Sequence, residues 1–188
     1  MAWYDVPFRT LIDEYFNTGD LTVYDSTLKL LNYRGSTIIN IDLPVDLEEA
    51  AKINHDYEYV VLRASNYIHE EMDWGHFLDW LRAVELPVIC LGVGAQAAIR
   101  RRIALPPDAL RIWQMVADRC PSIGVRGEFT ASVLEDNGIK NVDVIGCPSI
   151  FRSREPAIQL RHKPSSEIRR IGFSLRRETG GNYTDDVA

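Results

Sequence analysis

The feature that most constrains this chain is a rhythm. Short strand-length apolar runs alternate with longer stretches that carry apolar residues at helical spacing. "STIINIDL" (36–43), "YEYVVLRAS" (57–65), "PVICLGVG" (87–94), "SIGVR" (122–126) and "NVDVIGC" (141–147) read as strands. Between them, "DLEEAAKI" opens on a capping Asp46 with acids in its first turn. "DWGHFLDWLRAVE" (73–85) places Phe77, Leu78, Leu81 and Val84 on one face, extended by Trp74 and Trp80. "PPDALRIWQMVADRC" (106–120) does the same with Leu110, Trp113, Met115 and Val116, and "GEFTASVLEDNGI" (127–139) stops at Gly138. Several of the strands are apolar throughout, so both faces of the sheet must be covered. The expectation is an α/β chain with five or more parallel strands and helices on both faces, Rossmann-like in architecture.

Beyond residue 151 the pattern changes. "RSREPAIQLRHKPSSEIRR" is polar and punctuated by proline, and one more strand follows, "IGFSLRR" (171–177). The reading is an amino-terminal domain over 1–151, a linker over 152–169, and the start of a second, truncated domain over 170–188.

Composition removes several function classes. With a net charge of -6, the chain gains nothing from counterion release on a polyanion, so no nucleic-acid partner is expected. Arg100, Arg101 and Arg102 form a local basic cluster, most simply a solvated face. Cys90, Cys120 and Cys147 are odd in number and widely spaced, which suits a reducing compartment; Cys90 reads as a small core residue. No apolar segment approaches the roughly 20 residues needed to span a bilayer, and the start "MAWYDVPFRTLIDEYF" is no signal peptide. The expected location is cytoplasmic. "HEEMD" (69–73) misses the zinc spelling H-E-x-x-H by its last residue, so no metal is expected.

Gly92, Gly94 and Ala97 match the G-x-G-x-x-A spelling of a dinucleotide loop. Such a loop needs a helix starting at the glycines and an acid at the end of the next strand. Here Pro106-Pro107 breaks the segment after Ala97, and the next strand ends at Arg126. The glycines are therefore expected to let the chain turn at the carboxyl edge of the sheet, where ligands of open parallel sheets bind, and not to hold nicotinamide. "FNTGDLTVYDSTLKLL" (16–31) offers a second glycine loop. Asp20 is a natural N-cap, and Gly19 before a helix start makes an anion-ready pocket.

Together these pieces resemble the polysaccharide pyruvyl transferase family. "NTGD" (17–20) is similar to its G-N-x-G-D loop, "LPVICLGVGAQ" (86–96) to its strand ending in G-x-G-x-Q, and "SIGVRGEFTASVLEDNGIKNVDVIGCPSIF" (122–151) to its S-V-R-D block. Gly127-Glu128 stands where that block has Asp, Cys147-Pro148-Ser149 stands for its Asp-Pro, and the loop "LRASNYI" (62–68) lacks the usual glycines. The resemblance implies one half of a glycosyltransferase-B-like architecture. It also implies transfer of a pyruvyl group from phosphoenolpyruvate to a sugar of a polysaccharide or its lipid-linked precursor, forming a ketal. No cofactor is needed beyond the donor substrate. An acceptor of that kind would bring the protein near a membrane surface, and an oligomer is compatible with it. Substrate-binding residues on the strand ends and loops would be Asn17, Gly19, Ser65, Asn66, Gly92, Gly94, Gln96, Arg126 and Arg176, with Asp20 as the catalytic carboxylate. The two arginines would share the donor's phosphate and carboxylate. The competing reading is a non-catalytic module that binds a dinucleotide or a sugar phosphate.

Overall fold

The structure is a computed structural model, and it describes residues 18–31, 33–71, 74–97, 102–153 and 164–170. The chain divides into two compact units, Met1–Glu155 and Pro156–Ala188. The described part of the second holds one 3-10 turn, Ser165–Glu167.

The first unit runs α1 (Thr18–Leu30), α2 (Leu47–Asp56), β1 (Val60–Arg63), α3 (Phe77–Ala83), β2 (Val88–Val93), α4 (Pro107–Arg119), β3 (Ile123–Val125), α5 (Glu128–Asp136) and β4 (Val142–Val144), then a 3-10 turn at Pro148–Phe151. The four strands pair in the order β1-β2-β3-β4, all parallel. This is an α/β, Rossmann-like sheet with helices around it.

Helix ends follow their local chemistry. Asp46 Oδ1 accepts from the amides of Glu48 (2.9 Å) and Glu49 (3.3 Å), capping α2. Pro107 opens α4, where its missing N–H costs nothing. Gly138, at φ +87°, ends α5, and the Ile139 amide turns back to Leu134 O at 3.0 Å.

Alternation along the strands fixes the core. Val88, Cys90, Ile123 and Val125 point to one side and join Phe77 and Leu81 of α3, Ile112, Trp113 and Val116 of α4, and Leu134 of α5 in one buried cluster. Trp74 stacks on Phe77 at 4.7 Å and meets Trp113 edge-on at 5.7 Å. Burial pushes the Cys90 thiol far up, which makes it the inert core residue expected. On the other face the Arg63 guanidinium lies 5.8 Å from the centre of the Tyr24 ring, so α1 covers the side that carries Val61 and Arg63.

Four expectations change. Four strands, not five, are present among the described residues, because "STIINIDL" (36–43) is not a strand. Ile39 and Ile41 pack beside Trp80 and α2 instead of beside a strand. A turn at Asn40–Leu43 then hands backbone carbonyls to α3: the His76 N–H donates to Ile41 O and Trp80 Nε1 to Leu43 O. Asp20 is not the N-cap of α1, which starts two residues earlier at Thr18. The third helix is shorter than the 73–85 stretch, beginning at Phe77. The buried stripe of α4 is Ala109, Ile112, Trp113 and Val116, with Leu110 and Met115 only partly buried at its margins. The strand expected at 171–177 lies outside the described residues. Among the described residues, no helix is long and apolar enough to cross a membrane.

Candidate functional site

The carboxyl ends of β1, β2 and β3 meet in one place, and an irregularity in β2 shapes it. Cys90 pairs with Ile123 and Val93 with Val125, so β2 carries one more residue than β3 over that interval. Gly92 takes up the excess at φ +70°. A Cβ there would lie 2.5 Å from Pro148 Cδ and 2.7 Å from Gly146 O, so the loop after β4 closes against its bare backbone.

The loops after β1 and β2 are then laced together by their backbones. The Gly94 amide donates to Ser65 O (2.8 Å), the Ile68 amide to Gly94 O (3.1 Å), and the Gln96 amide to Ile68 O (2.8 Å). A fourth tie reaches α5: the Ala95 amide donates to Thr130 Oγ1 at 2.9 Å. Thr130 is buried, so this bond is shielded from water.

Arg126 leaves the end of β3 over this platform. Its amide donates to Val93 O (2.8 Å), Nε to Gly92 O (3.0 Å) and Nη1 to Asn66 Oδ1 (2.9 Å). Gly94 makes room for the pair, since a Cβ there would fall 2.5 Å from Asn66 Oδ1 and 3.2 Å from Arg126 Cδ. Among the described residues Arg126 has no carboxylate partner, and its Nη2 makes no hydrogen bond. Next to it α5 begins. The Thr130 and Ala131 amides both turn to Gly127 O, which leaves the Glu128 and Phe129 amides ahead of the first intrahelical bond. A cleft of about 780 Å³ runs from Ala95 and Arg126 past Gly127 and Glu128 along α5 to Ser132 and Glu135. A guanidinium edge beside a helix amino terminus is chemistry for an anion. Among the described residues no three His, Cys, Asp or Glu side chains gather as a metal would require.

Residues 17–185 match the family model described as polysaccharide pyruvyl transferase. The chain belongs to that family. No curated protein and no solved structure matches it.

Within this polysaccharide pyruvyl transferase chain, six residues singled out in the sequence come together at the sheet edge: Ser65, Asn66, Gly92, Gly94, Gln96 and Arg126. Their parts differ. Gly92 and Gly94 supply space and a turn, Ser65 and Gln96 enter through their backbones, and Asn66 and Arg126 alone join by side chains. Gly19 is exposed in the first turn of α1. Asn17 and Arg176 lie outside the described residues, as does the side chain of Asp20. The glycine pair does not open a helix: Ala95–Ala97 are non-helical, and the next helix described begins at Pro107. Among the described residues, the helix start that a dinucleotide loop requires does not follow the glycines.

Two contributors do not stand out in the sequence. Thr130 is one polar residue inside a helix pattern, and only the fold brings it under Ala95. Glu128 reads as a substitute for Asp, yet it puts an exposed carboxylate on the wall of the Arg126 cleft. Its first-turn position, directly after the strand-end arginine and Gly127, is the signal that points to it.

Proposed function

We propose that the chain takes part in pyruvyl transfer from phosphoenolpyruvate to a sugar of a polysaccharide or its lipid-linked precursor, and that the cleft at Arg126 receives the donor. The observation that carries this is the half-buried Arg126, fixed by Gly92 O and Asn66 but without a carboxylate partner among the described residues, beside the open amides of α5. Phosphoenolpyruvate carries a phosphate and a carboxylate, both suited to a planar fork and to backbone N–H groups.

In the reaction, a proton adds to C3 of the enol while one sugar hydroxyl bonds to C2. The C2–O bond to phosphate breaks, and a second hydroxyl bonds to C2 to close the ketal. One hydroxyl proton balances the proton gained at C3, and the other leaves with phosphate. Phosphate departs as a dianion, so a cation held at that oxygen lowers the barrier. A general base must take the hydroxyl proton. Asp20 in the first turn of α1 and Glu128 on the cleft wall are the candidates.

The test is phosphate release from phosphoenolpyruvate with a galactose- or N-acetylhexosamine-containing acceptor. An enzyme carrying both halves of the fold should release phosphate only when acceptor is present, Arg126→Ala in it should lose most of that activity, and the 188-residue chain alone should show none. Full activity in Arg126→Ala removes this cleft from the donor site. A rise in melting temperature with NAD but none with phosphoenolpyruvate favours the dinucleotide-binding module instead.

A further inference from the structure

We infer that Asn66 is a positioning residue for Arg126: its neutral amide oxygen aims the guanidinium while leaving its positive charge unspent for an anionic ligand. This rests on the reading of the Arg126 cleft as the donor site.

A guanidinium on a flexible stem is a poor receptor unless something holds its plane. Here two acceptors do, Gly92 O on Nε at 3.0 Å and Asn66 Oδ1 on Nη1 at 2.9 Å. They engage Nε and Nη1 from different edges of the planar group, and among the described residues Nη2 is left for a ligand. Both acceptors are uncharged. A carboxylate in the place of Asn66 would hold the same geometry more strongly, but it would cancel the charge the cleft offers. The close fit around the pair fixes its separation from the loop after β2: a Cβ on Gly94 would lie 2.5 Å from Asn66 Oδ1. Asn66 itself is held in a loop whose neighbours Ser65 and Ile68 are tied by backbone bonds to Gly94 and Gln96. Its oxygen is thus a fixed point and not a mobile surface amide.

A role in aiming the charge and a role in holding the fold make opposite forecasts. If Asn66 only braces the loop, Asn66→Asp is the milder change, since it keeps shape and acceptor, and Asn66→Ala the harsher. If Asn66 aims an unspent charge, the order reverses. The experiment is titration calorimetry of the protein with phosphoenolpyruvate, for wild type, Asn66→Ala, Asn66→Asp and Arg126→Ala, alongside the melting temperature of each. Asn66→Ala should weaken binding about 3- to 10-fold, the size of one lost hydrogen bond. Asn66→Asp should weaken it about 30-fold or more, while its melting temperature stays at or above that of Asn66→Ala. Equal or tighter binding by Asn66→Asp than by Asn66→Ala overturns the positioning role and leaves the donor site intact. Binding undiminished in Arg126→Ala, or absent in wild type, overturns the donor site itself.

Discussion

Trp113 and Arg126 are close in the chain and serve the same sheet by opposite means. Trp113 is wholly buried among apolar side chains contributed by three helices and two strands. Arg126 is half-buried at the carboxyl rim and held by hydrogen bonds to a backbone carbonyl and to one amide side chain. On the packed side, many weak contacts add up and any one residue is replaceable by another of similar shape. At the rim, few contacts act, each between named atoms, and glycines supply the clearances. Stability is thus stored mainly in the packed core, while the donor site proposed above lies at the carboxyl rim. The two should separate under mutation.

The largest expected effect lies on the packed side. Trp113→Ala removes the edge-on partner of Trp74 and opens a cavity under α4, at a cost of about 3–5 kcal/mol in unfolding free energy. Urea unfolding measures it. The molecules that remain folded should still bind phosphoenolpyruvate with near wild-type affinity. Equal losses in affinity and stability would erase the division between core and rim.

Arg126→Ala is the converse. It should cost donor binding about 2–4 kcal/mol, as removal of one partner of a desolvated charge pair does. Unfolding free energy should fall by no more than about 1 kcal/mol, since the hydrogen bonds lost are those of a half-buried group. Arg126→Lys should recover part of the binding, because a lysine keeps charge but lacks the fork. Calorimetric titration and urea midpoints on the same samples decide it, and a stability loss larger than the affinity loss would make Arg126 a structural residue.

Gly92→Ala joins the two regions, because Gly92 is both a strand residue and the hinge of the rim. The added methyl meets Pro148 and Gly146 in a left-handed backbone that L side chains disfavour. The expected cost is about 1–3 kcal/mol of stability, accompanied by weaker donor binding because Gly92 O holds Arg126. A variant that loses stability but binds normally would show that the rim can re-form without this bulge.

The same contrast explains how much of the molecule is legible in its sequence. Strand and helix alternation follows hydrophobic periodicity, so β1 to β4, α3, α4 and α5 can be read from the residue pattern alone. The gathering of Ser65, Asn66, Gly92, Gly94, Gln96 and Arg126 at strand ends is legible too, since parallel strands present their carboxyl ends on one edge. Pairing between atoms is not encoded in periodicity. Nothing in "LRASNYI" says that the Asn66 oxygen meets Arg126, or that Thr130 anchors Ala95. "STIINIDL" misleads for a related reason: β-branched residues make a strand only where the chain pairs with a sheet, and residue pattern alone does not decide that pairing. Ile39 and Ile41 pack against Trp80 and α2 instead.

The smallest effect is expected behind the rim, where α1 meets the turn that closes on Gly92. Asp25 bridges the two, accepting from Lys29 one turn along α1 (2.8 Å) and from Arg152 beyond Phe151 (2.9 Å). The Lys29 hydrogen bond, then that of Arg152, hold the Asp25 carboxyl below its ordinary range. A carboxyl whose folded pKa is depressed stabilises the fold above its unfolded pKa near 4, and loses that contribution as pH falls through the lower folded value. All three side chains are well exposed, so solvent and salt screen the pairs. Asp25→Asn should therefore cost only about 0.5 kcal/mol at pH 7 and low salt, and less at high salt. The difference from wild type should close as pH drops below the folded pKa of Asp25. Urea midpoints at pH 7 and near pH 3, each at two ionic strengths, make the measurement. A cost comparable to that of Gly92→Ala, unchanged by acid or salt, would mean that α1 is fixed to the rim as firmly as the glycines are, and the charge pair would then belong to the architecture and not to its periphery.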